Sequence, residues 1–394
     1  MATKKSKKTP RRGRGEGAVY LRNDKRWAGS INIESGDGKR KRKYFYGETK
    51  QEVQDKVNTA LYEQKQGTLV VGPQLTVKRY LEHWLEAVQK PTLRLGSYIR
   101  YQTRVKNHIV PTLGHVQLQK LTADHVRSLY AQKSNEGLSP ATIRTIHAVL
   151  HKALEEAIRS GYVVRNVCDL VTPPRIAKHE VQVLTQEQAH TLLETAKGHR
   201  IEALLTLALA TGMRKGEMLA LRWSDIDFEN TSLSIRRTVS FYPKHGYVES
   251  EPKTAKSRRR ITLPLLVIVM LMQHKKRQDE RRQKAAARWH DHNLVFPNTI
   301  GQFQHVQYLR VLFNKLLKDA GLPNMRFHDL RHSAATILLS MGIHPKVVQE
   351  LLGHSTINMT MDTYSHVIPS MQQDAMNKWD DLFKDEKNDE HSKE

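Results

Sequence analysis

The spacing of apolar residues changes character twice along the chain. Over residues 18–46 apolar and aromatic residues alternate with polar ones in three short runs, 18–22, 26–33 and 39–46. The breaks, Asn23-Asp24-Lys25 and Ser35-Gly36-Asp37-Gly38, have turn chemistry, so the runs predict three antiparallel strands. Val53, Val57, Ala60 and Leu61 then recur at helical spacing and predict a helix over 49–66 that covers one face of the sheet. The opposite face is left with Arg and Lys beside aromatic residues.

From residue 75 the period is helical throughout. A first helix over 75–90 ends at Pro91, a second over 92–109 is stopped by Pro111 and Gly114, and Thr122 begins a third. Ser139-Pro140 is an N-cap followed by a first-turn proline. It opens a fourth helix with Ile143, Ile146, Val149, Leu150, Ala153, Leu154 and Ala157 on one stripe. After Thr172-Pro173-Pro174, the Thr185…Gln188 capping box starts a third region. An apolar helix over 201–210 closes at Gly212, and a new helix is expected over 213–223. Residues 233–236, 247–249 and 259–263 read as strands of one small antiparallel sheet. An amphipathic helix covers 310–320, another opens at 326–332, a further helix stops at Gly353, and a short one covers 371–383.

Composition sharpens this into a class. At 394 residues the chain exceeds one ordinary core. Its longest apolar run, 263–272, is about half of a membrane span, and no apolar stretch follows the basic N-terminus as it would in a secretory signal. One cysteine, Cys168, excludes an intrachain disulfide and any multi-cysteine zinc site, which points to a reducing compartment. The formal net charge is +24 and the pI about 10.0, the signature of a polyanion-binding protein. Residues 1–14 hold seven basic residues and no acid, and residues 1–72 hold 18 basic against 8 acidic. The basic excess is thus concentrated on the first module. Arg22, Arg26, Lys39, Lys41 and Lys43 are its candidate DNA contacts, with Arg100, Arg104 and Arg144 on the helices that follow. Residues 380–394 hold seven acids and three bases, an acidic tail suited to a basic protein surface.

The candidate chemistry lies in 326–367, which offers His328, Arg331, His354 and Tyr364, with Arg214 upstream at a helix start and Lys253 on a hairpin tip. His328 and Arg331 are three apart and share a helix face. Two guanidiniums can hold the non-bridging oxygens of a phosphodiester, and a phenol beside cations and histidines can lose its proton. Twenty histidines make chance groupings common. His328, His332, His354 and His366 have no metal-ligand spacing, so no metal is expected.

The ordered set Arg214, His328-Asp329-Leu330-Arg331-His332, Leu352-Gly353-His354 and Tyr364 resembles the tyrosine recombinase, or phage-type integrase, family. The resemblance covers about 184–367, and the helical region before it fits the family's core-binding domain. The first module is similar to the arm-type DNA-binding domain of phage and integrative-conjugative-element integrases. By resemblance, Arg214, Lys253, His328, Arg331 and His354 are catalytic and Tyr364 is the nucleophile. Lys256 is an alternative to Lys253.

The implied fold is multidomain. It has a basic arm (1–14), a three-stranded sheet plus helix (15–67), a linker (68–74) and an all-α, SAM-like core-binding domain (75–172). A second linker (173–183) leads to a mainly-α catalytic domain with a small antiparallel sheet (184–369) and a tail (370–394). The implied function is site-specific recombination through a 3′-phosphotyrosyl intermediate, without cofactor, integrating or excising a mobile element. The implied partners are double-stranded DNA at core and arm sites, a homotetramer on that DNA, and DNA-bending and directionality factors. The implied location is the bacterial cytoplasm, on the nucleoid. A type IB topoisomerase shares the chemistry, and a non-catalytic DNA-binding regulator shares the charge.

Overall fold

The computed structural model describes residues 17–34, 40–66, 74–177, 182–252, 257–354, 356–357, 376–377 and 379–380, with backbone alone at 34, 40 and 41. Two compact units divide it, residues 1–178 and 179–394.

The first unit contains two separate cores. Strands β1 (Ala18–Leu21), β2 (Trp27–Glu34) and β3 (Arg40–Gly47) form an antiparallel meander. Helix α1 (Lys50–Lys65) lies on it, capped by Thr49, whose side chain accepts from the Glu52 N–H. Ile31 and Ile33 meet Val53, Val57 and Ala60 in a small core. Gly29 lets α1 approach, because a Cβ there would lie 2.5 Å from Val57 Cγ2 and 2.8 Å from Val53 Cγ1.

The register decides which basic residues are presented. Tyr20 pairs with Ala28, which pairs with Tyr46, while Ser30 pairs with Tyr44 and Asn32 with Arg42. Side chains alternate along a strand, so Tyr20, Asn32, Arg42, Tyr44 and Tyr46 share the exposed face. Lys43 instead shares the helix side with Phe45, its ammonium 5.9 Å from that ring. Arg22 stacks over Tyr46 at 5.5 Å. Lys39 and the Lys41 side chain lie outside the described residues.

The second core of this unit is helical. Helix α2 (Val77–His83) runs through a π-helical turn, Trp84–Gln89, into α3 (Lys90–Thr92). Helix α4 (Leu95–Arg104) does the same through Val105–Ile109 into α5 (Val110–Leu113). Neither helix therefore stops at its proline. Pro91 and Pro111 each follow a residue bonded five back, Lys90 N–H to the Leu85 carbonyl and the Val110 N–H to the Val105 carbonyl. The widened turn provides space for a ring that would clash with the i−4 carbonyl in an α-helix.

Helices α6 (Ala123–Asn135) and α7 (Pro140–Arg159) begin at Thr122 and Ser139 as their caps dictate. Trp84, Tyr80 and Leu81 are sealed against the α7 stripe, and the Tyr80 hydroxyl donates to the Ala153 carbonyl at 2.7 Å. Arg100 and Arg144 are exposed and Arg104 is half-buried. Lys152 of α7 sits 5.3 Å over Tyr101 of α4, so the basic faces of these two helices adjoin. Cys168 is 1% exposed, and burial followed by Asp169 pushes its thiol up to about 12.

The second unit is mainly helical. Its helices are α8 (Gln186–Thr195), α9 (Glu202–Thr211), α10 (Lys215–Leu219), α11 (Leu265–Ala285), α12 (Val306–Asp319), α13 (Asp329–Ser340) and α14 (Pro345–Leu352). The 185–188 capping box is present, and α9 is buried nearly all round. Helix α10 is much shorter than the 213–223 expected. It stops at Leu219 because the next residues are drawn into pairing with 293–295. The Leu221 carbonyl accepts from Val295, Arg222 bridges to Leu294, and Trp223 donates to the Asn293 carbonyl.

The strands also divide differently from expectation. β4 (Ile226–Asp227), β5 (Ser232–Ile235) and β8 (Arg259–Thr262) form one sheet in the order β4-β5-β8. Residues 247–249 belong instead to a separate hairpin of β6 (Thr238–Tyr242) and β7 (Gly246–Ser250). β6 was not legible as a strand, since Val239 alone among its residues is buried and no inward alternation marks it. No described helix is long and apolar enough to cross a membrane.

The Gly29 contact generates a test. Gly29→Ala is expected to lower the stability of the sheet–helix module by about 1–3 kcal/mol, since Val53 and Val57 have nowhere to move. Hydrogen exchange over residues 17–66 of the full chain measures it, and unchanged protection contradicts the packing described.

Candidate active site

Four stretches far apart in sequence meet in the second unit. The first is the turn between α9 and α10. Gly212 closes α9 in the left-handed region, with φ 59°. A Cβ there would lie 2.4 Å from Leu352 Cδ2, so this glycine serves both the turn and the close approach of α14. Arg214 follows at the N-cap of α10, its side chain about a third exposed.

The second stretch opens α13. His328 is its N-cap and Arg331 lies in its first turn. Arg331 is 4% exposed and its Nη1 donates to the Gly212 carbonyl at 2.8 Å. Asp329 shapes the helix start, accepting from Arg326 N at 2.9 Å, Nε at 3.1 Å and Nη2 at 2.8 Å. Burial pushes the Asp329 carboxyl up, but Arg326 outweighs it and holds it below the usual range. The His328 and His332 rings meet edge to face, 5.6 Å apart.

The third stretch ends α14. Gly353, φ 67°, is its left-handed C-cap, and His354 comes next. Arg214 Nη2 donates to the Gly353 carbonyl at 3.3 Å. His354 is 8% exposed and its backbone is clasped at both ends by Gln349, whose carbonyl accepts the His354 N–H while its Nε2 donates to the His354 carbonyl. Arg214 thus bonds the turn that carries His354, and Arg331 bonds the turn that carries Arg214.

The fourth stretch, Arg259 of β8, went unrecognised in the sequence, as did the residue it meets, Glu217 of α10. Glu217, 3% exposed, accepts from Arg214 Nη1 at 2.9 Å and from the Arg214 N–H at 3.0 Å. Arg259, the first residue of β8, donates to the same carboxylate from Nη2 at 3.3 Å. Burial pushes the Glu217 carboxyl up, but Arg259 and Arg214 reverse this and keep it ionised. The one available signal was the spacing Arg214…Glu217, three residues apart across a helix start, which is capping-box spacing. Nothing local to Arg259 marked it among the three consecutive arginines 258–260.

The electrostatics favour an anion. Burial first, then Arg331 and Arg214, pushes His354 down to about 4, and His328 is likewise depressed by burial, His332 and Arg331. Both rings are neutral at neutral pH and able to donate or accept one hydrogen bond. A groove of about 1010 Å³ runs past His328, lined by Lys215, Gln307, Arg310, Asn314, Asn324 and Arg326 among others. Its chemistry, guanidinium and amide side chains beside a lysine, suits phosphates and base edges. Lys253, Lys256 and Tyr364 lie outside the described residues. Among the described residues, His151, Glu155 and Asp169 have ligand atoms close enough to share an ion, but His151 Nε2 already bonds Asp169 at 2.8 Å and Glu155 accepts from Asn166 at 3.2 Å.

Comparison with known proteins decides the family. Residues 182–371 match the model of the phage integrase family, and residues 76–134 that of the phage integrase N-terminal SAM-like domain. A XerC-like tyrosine recombinase of Caldanaerobacter subterraneus is 31% identical over 385 residues, covering 92% of this chain and 98% of that protein. The chain belongs to the phage integrase family of tyrosine recombinases. Its activity is accordingly site-specific cutting and rejoining of DNA.

An integrase of Saccharopolyspora erythraea is 28% identical, with 95% of this chain and 98% of that protein covered. Among solved structures, the Tn1549 transposon integrase in complex with a circular intermediate DNA superposes with a TM-score of 0.64 at 20% identity. That match covers 77% of this chain and 99% of the other. A lambda integrase dimer bound to a COC′ core site gives 0.54 at 18% identity, covering 88% and 94%. At these identities the two structures establish the integrase fold.

The buried histidines set a pH dependence. Unfolded histidine takes up its proton near about 6.5, whereas folded His354 and buried His274 do so only at about 4. Between those values the unfolded chain binds more protons, so stability is full above the upper value and is lost as pH falls toward the lower. Urea unfolding of the DNA-free integrase at about pH 7, 6 and 5 is expected to show a falling midpoint; a flat profile contradicts neutral burial of these rings.

Proposed function

We propose that this integrase cuts DNA with Tyr364 as nucleophile, in a site where Arg214 and Arg331 grip the non-bridging oxygens of the scissile phosphate. The observation that carries this reading is that Arg214 bonds the His354 turn and Arg331 bonds the turn carrying Arg214, beside a basic groove that runs past His328. The Tyr364 oxygen forms a bond to phosphorus as the bond to the 5′ oxygen breaks. The products are a 3′-phosphotyrosyl link and a free 5′ hydroxyl. The phenolic proton leaves through His328 or His354, which become better acceptors once the bound phosphate offsets the arginine charge that depresses them. The two guanidiniums offset the charge that grows on the pentavalent phosphorus. Lys253 protonates the departing oxygen. Attack by the 5′ hydroxyl of a second strand reverses these steps and releases the tyrosine. The phosphodiester energy is retained in the protein–DNA link, so no nucleotide cofactor enters.

Around this centre we assign the sheet module (15–67) to arm sites, the helical domain (75–172) and catalytic domain (184–369) to the core site, and the tail (370–394) to a neighbouring subunit. Arg100, Arg104 and Arg144 take backbone phosphates. A homotetramer on DNA, with bending and directionality factors, integrates or excises a mobile element in the bacterial cytoplasm. Tetrameric assembly is supported by a lambda integrase tetramer bound to a Holliday junction, which superposes with a TM-score of 0.53.

Trapping on a nicked duplex from the element's end tests the chemistry. Wild type is expected to form a covalent adduct, and Tyr364→Phe to bind the duplex equally well with no adduct. An adduct that survives the substitution sinks the assignment. For the arm module, Arg42→Ala with Tyr44→Ala removes a cation and a stacking ring from the exposed sheet face. Arm-site affinity is expected to fall by about tenfold or more while core-site cleavage is unchanged. Equal loss at both sites would show that this face does not act separately.

A further inference from the structure

Arg259 is a buried cation that the chemistry above does not use. Its side chain is 7% exposed, and its fork makes three bonds in three directions. Nε donates to the Leu351 carbonyl at 2.6 Å, in the last turn of α14, two residues before Gly353. Nη2 reaches Glu217, the carboxylate that holds Arg214, and Nη1 reaches the Ser257 carbonyl at 3.3 Å. Arg259 also begins β8, three residues beyond the 253–256 stretch that contains Lys253.

We propose that Arg259 is a positioning residue for strand cleavage: it locks the Arg214 guanidinium and the His354 turn to strand β8. The inference rests on the catalytic reading of Arg214 and His354. Three features support it over a purely structural role.

The first is charge. Glu217 paired with Arg214 alone would cancel the cation meant for the phosphate. With Arg259 sharing the carboxylate, the trio keeps a net positive charge. The second is geometry. A planar guanidinium holds two acceptors at fixed directions, which a lysine ammonium cannot do. The third is Gly353, where a Cβ would lie 2.8 Å from Arg259 Nη1 and 3.1 Å from its Cζ. The backbone of the His354 turn therefore packs closely against the Arg259 side chain, one residue before the histidine.

The test uses the full chain, a nicked duplex from the element's end, and single-turnover adduct formation beside equilibrium binding of the same duplex. R259M is expected to bind within about threefold of wild type and to form the adduct about 30–100-fold more slowly, the scale of a displacement near 1 Å in a reacting site. R259K keeps the charge and loses the fork, so it is expected to remain at least tenfold slow. E217Q combined with R259M is expected to be no slower than R259M alone, since both act through one link. Should R259M fail to fold by thermal melting, R259K and E217Q carry the test. Wild-type cleavage by R259K, or a loss of binding that matches the loss of cleavage, overturns the proposal. A wild-type protein that forms no adduct overturns the catalytic reading instead, so the two failures are distinct.

Discussion

One buried carboxylate organises the catalytic unit. Glu217 is almost sealed from water, and a charge there is tolerable only because two guanidiniums and a backbone N–H meet it. Those partners come from different elements, the α9–α10 turn and β8, and each reaches on to α14 through a carbonyl. Satisfying the carboxylate therefore fixes the relation of three elements at once. Leaving it half-satisfied would cost several kcal/mol, which makes the arrangement close to all-or-none.

The surroundings turn that constraint into an anion site. Arg331 is anchored to the Gly212 carbonyl, so its first donor is committed to protein and its cation is held in place. The nearby histidines are kept neutral by burial and by the same arginines, and so add hydrogen bonds without adding more repelling charge. Under the proposed mechanism, a phosphodiester entering beside them would meet guanidiniums that are already oriented. Little reorganisation is left for the moment of reaction, which is how fixed dipoles and charges lower a barrier.

The N-terminal modules show how local rules are bent by context. Proline 91 and proline 111 read as stops, yet both helices run past them on π-turns, because Trp84, Leu85, Val105 and Ile109 are held in the core on either side. Burial of those side chains outweighs the strained turn. In the sheet, five basic residues within 39–43 looked alike in composition. Pleating sorts them: Arg42 joins the tyrosines on the open face and Lys43 joins Phe45 over the helix.

What the sequence determined by itself was local or ordered. Caps at Thr49, Thr122, Ser139 and Thr185, stops at Gly212 and Gly353, and the helical stripes depend on neighbours within four residues, so they could be read directly. The family followed from the order of Arg214, His328, Arg331, His354 and Tyr364, since order survives folding. Tertiary structure alone decided the rest. Strand partnership separated β6–β7 from β4-β5-β8, and the length of α10 was set by pairing with 293–295. Glu217 and Arg259 are 42 positions apart in sequence and meet only in the folded chain. A buried charge takes its meaning from what surrounds it in space, and one-dimensional spacing does not record that.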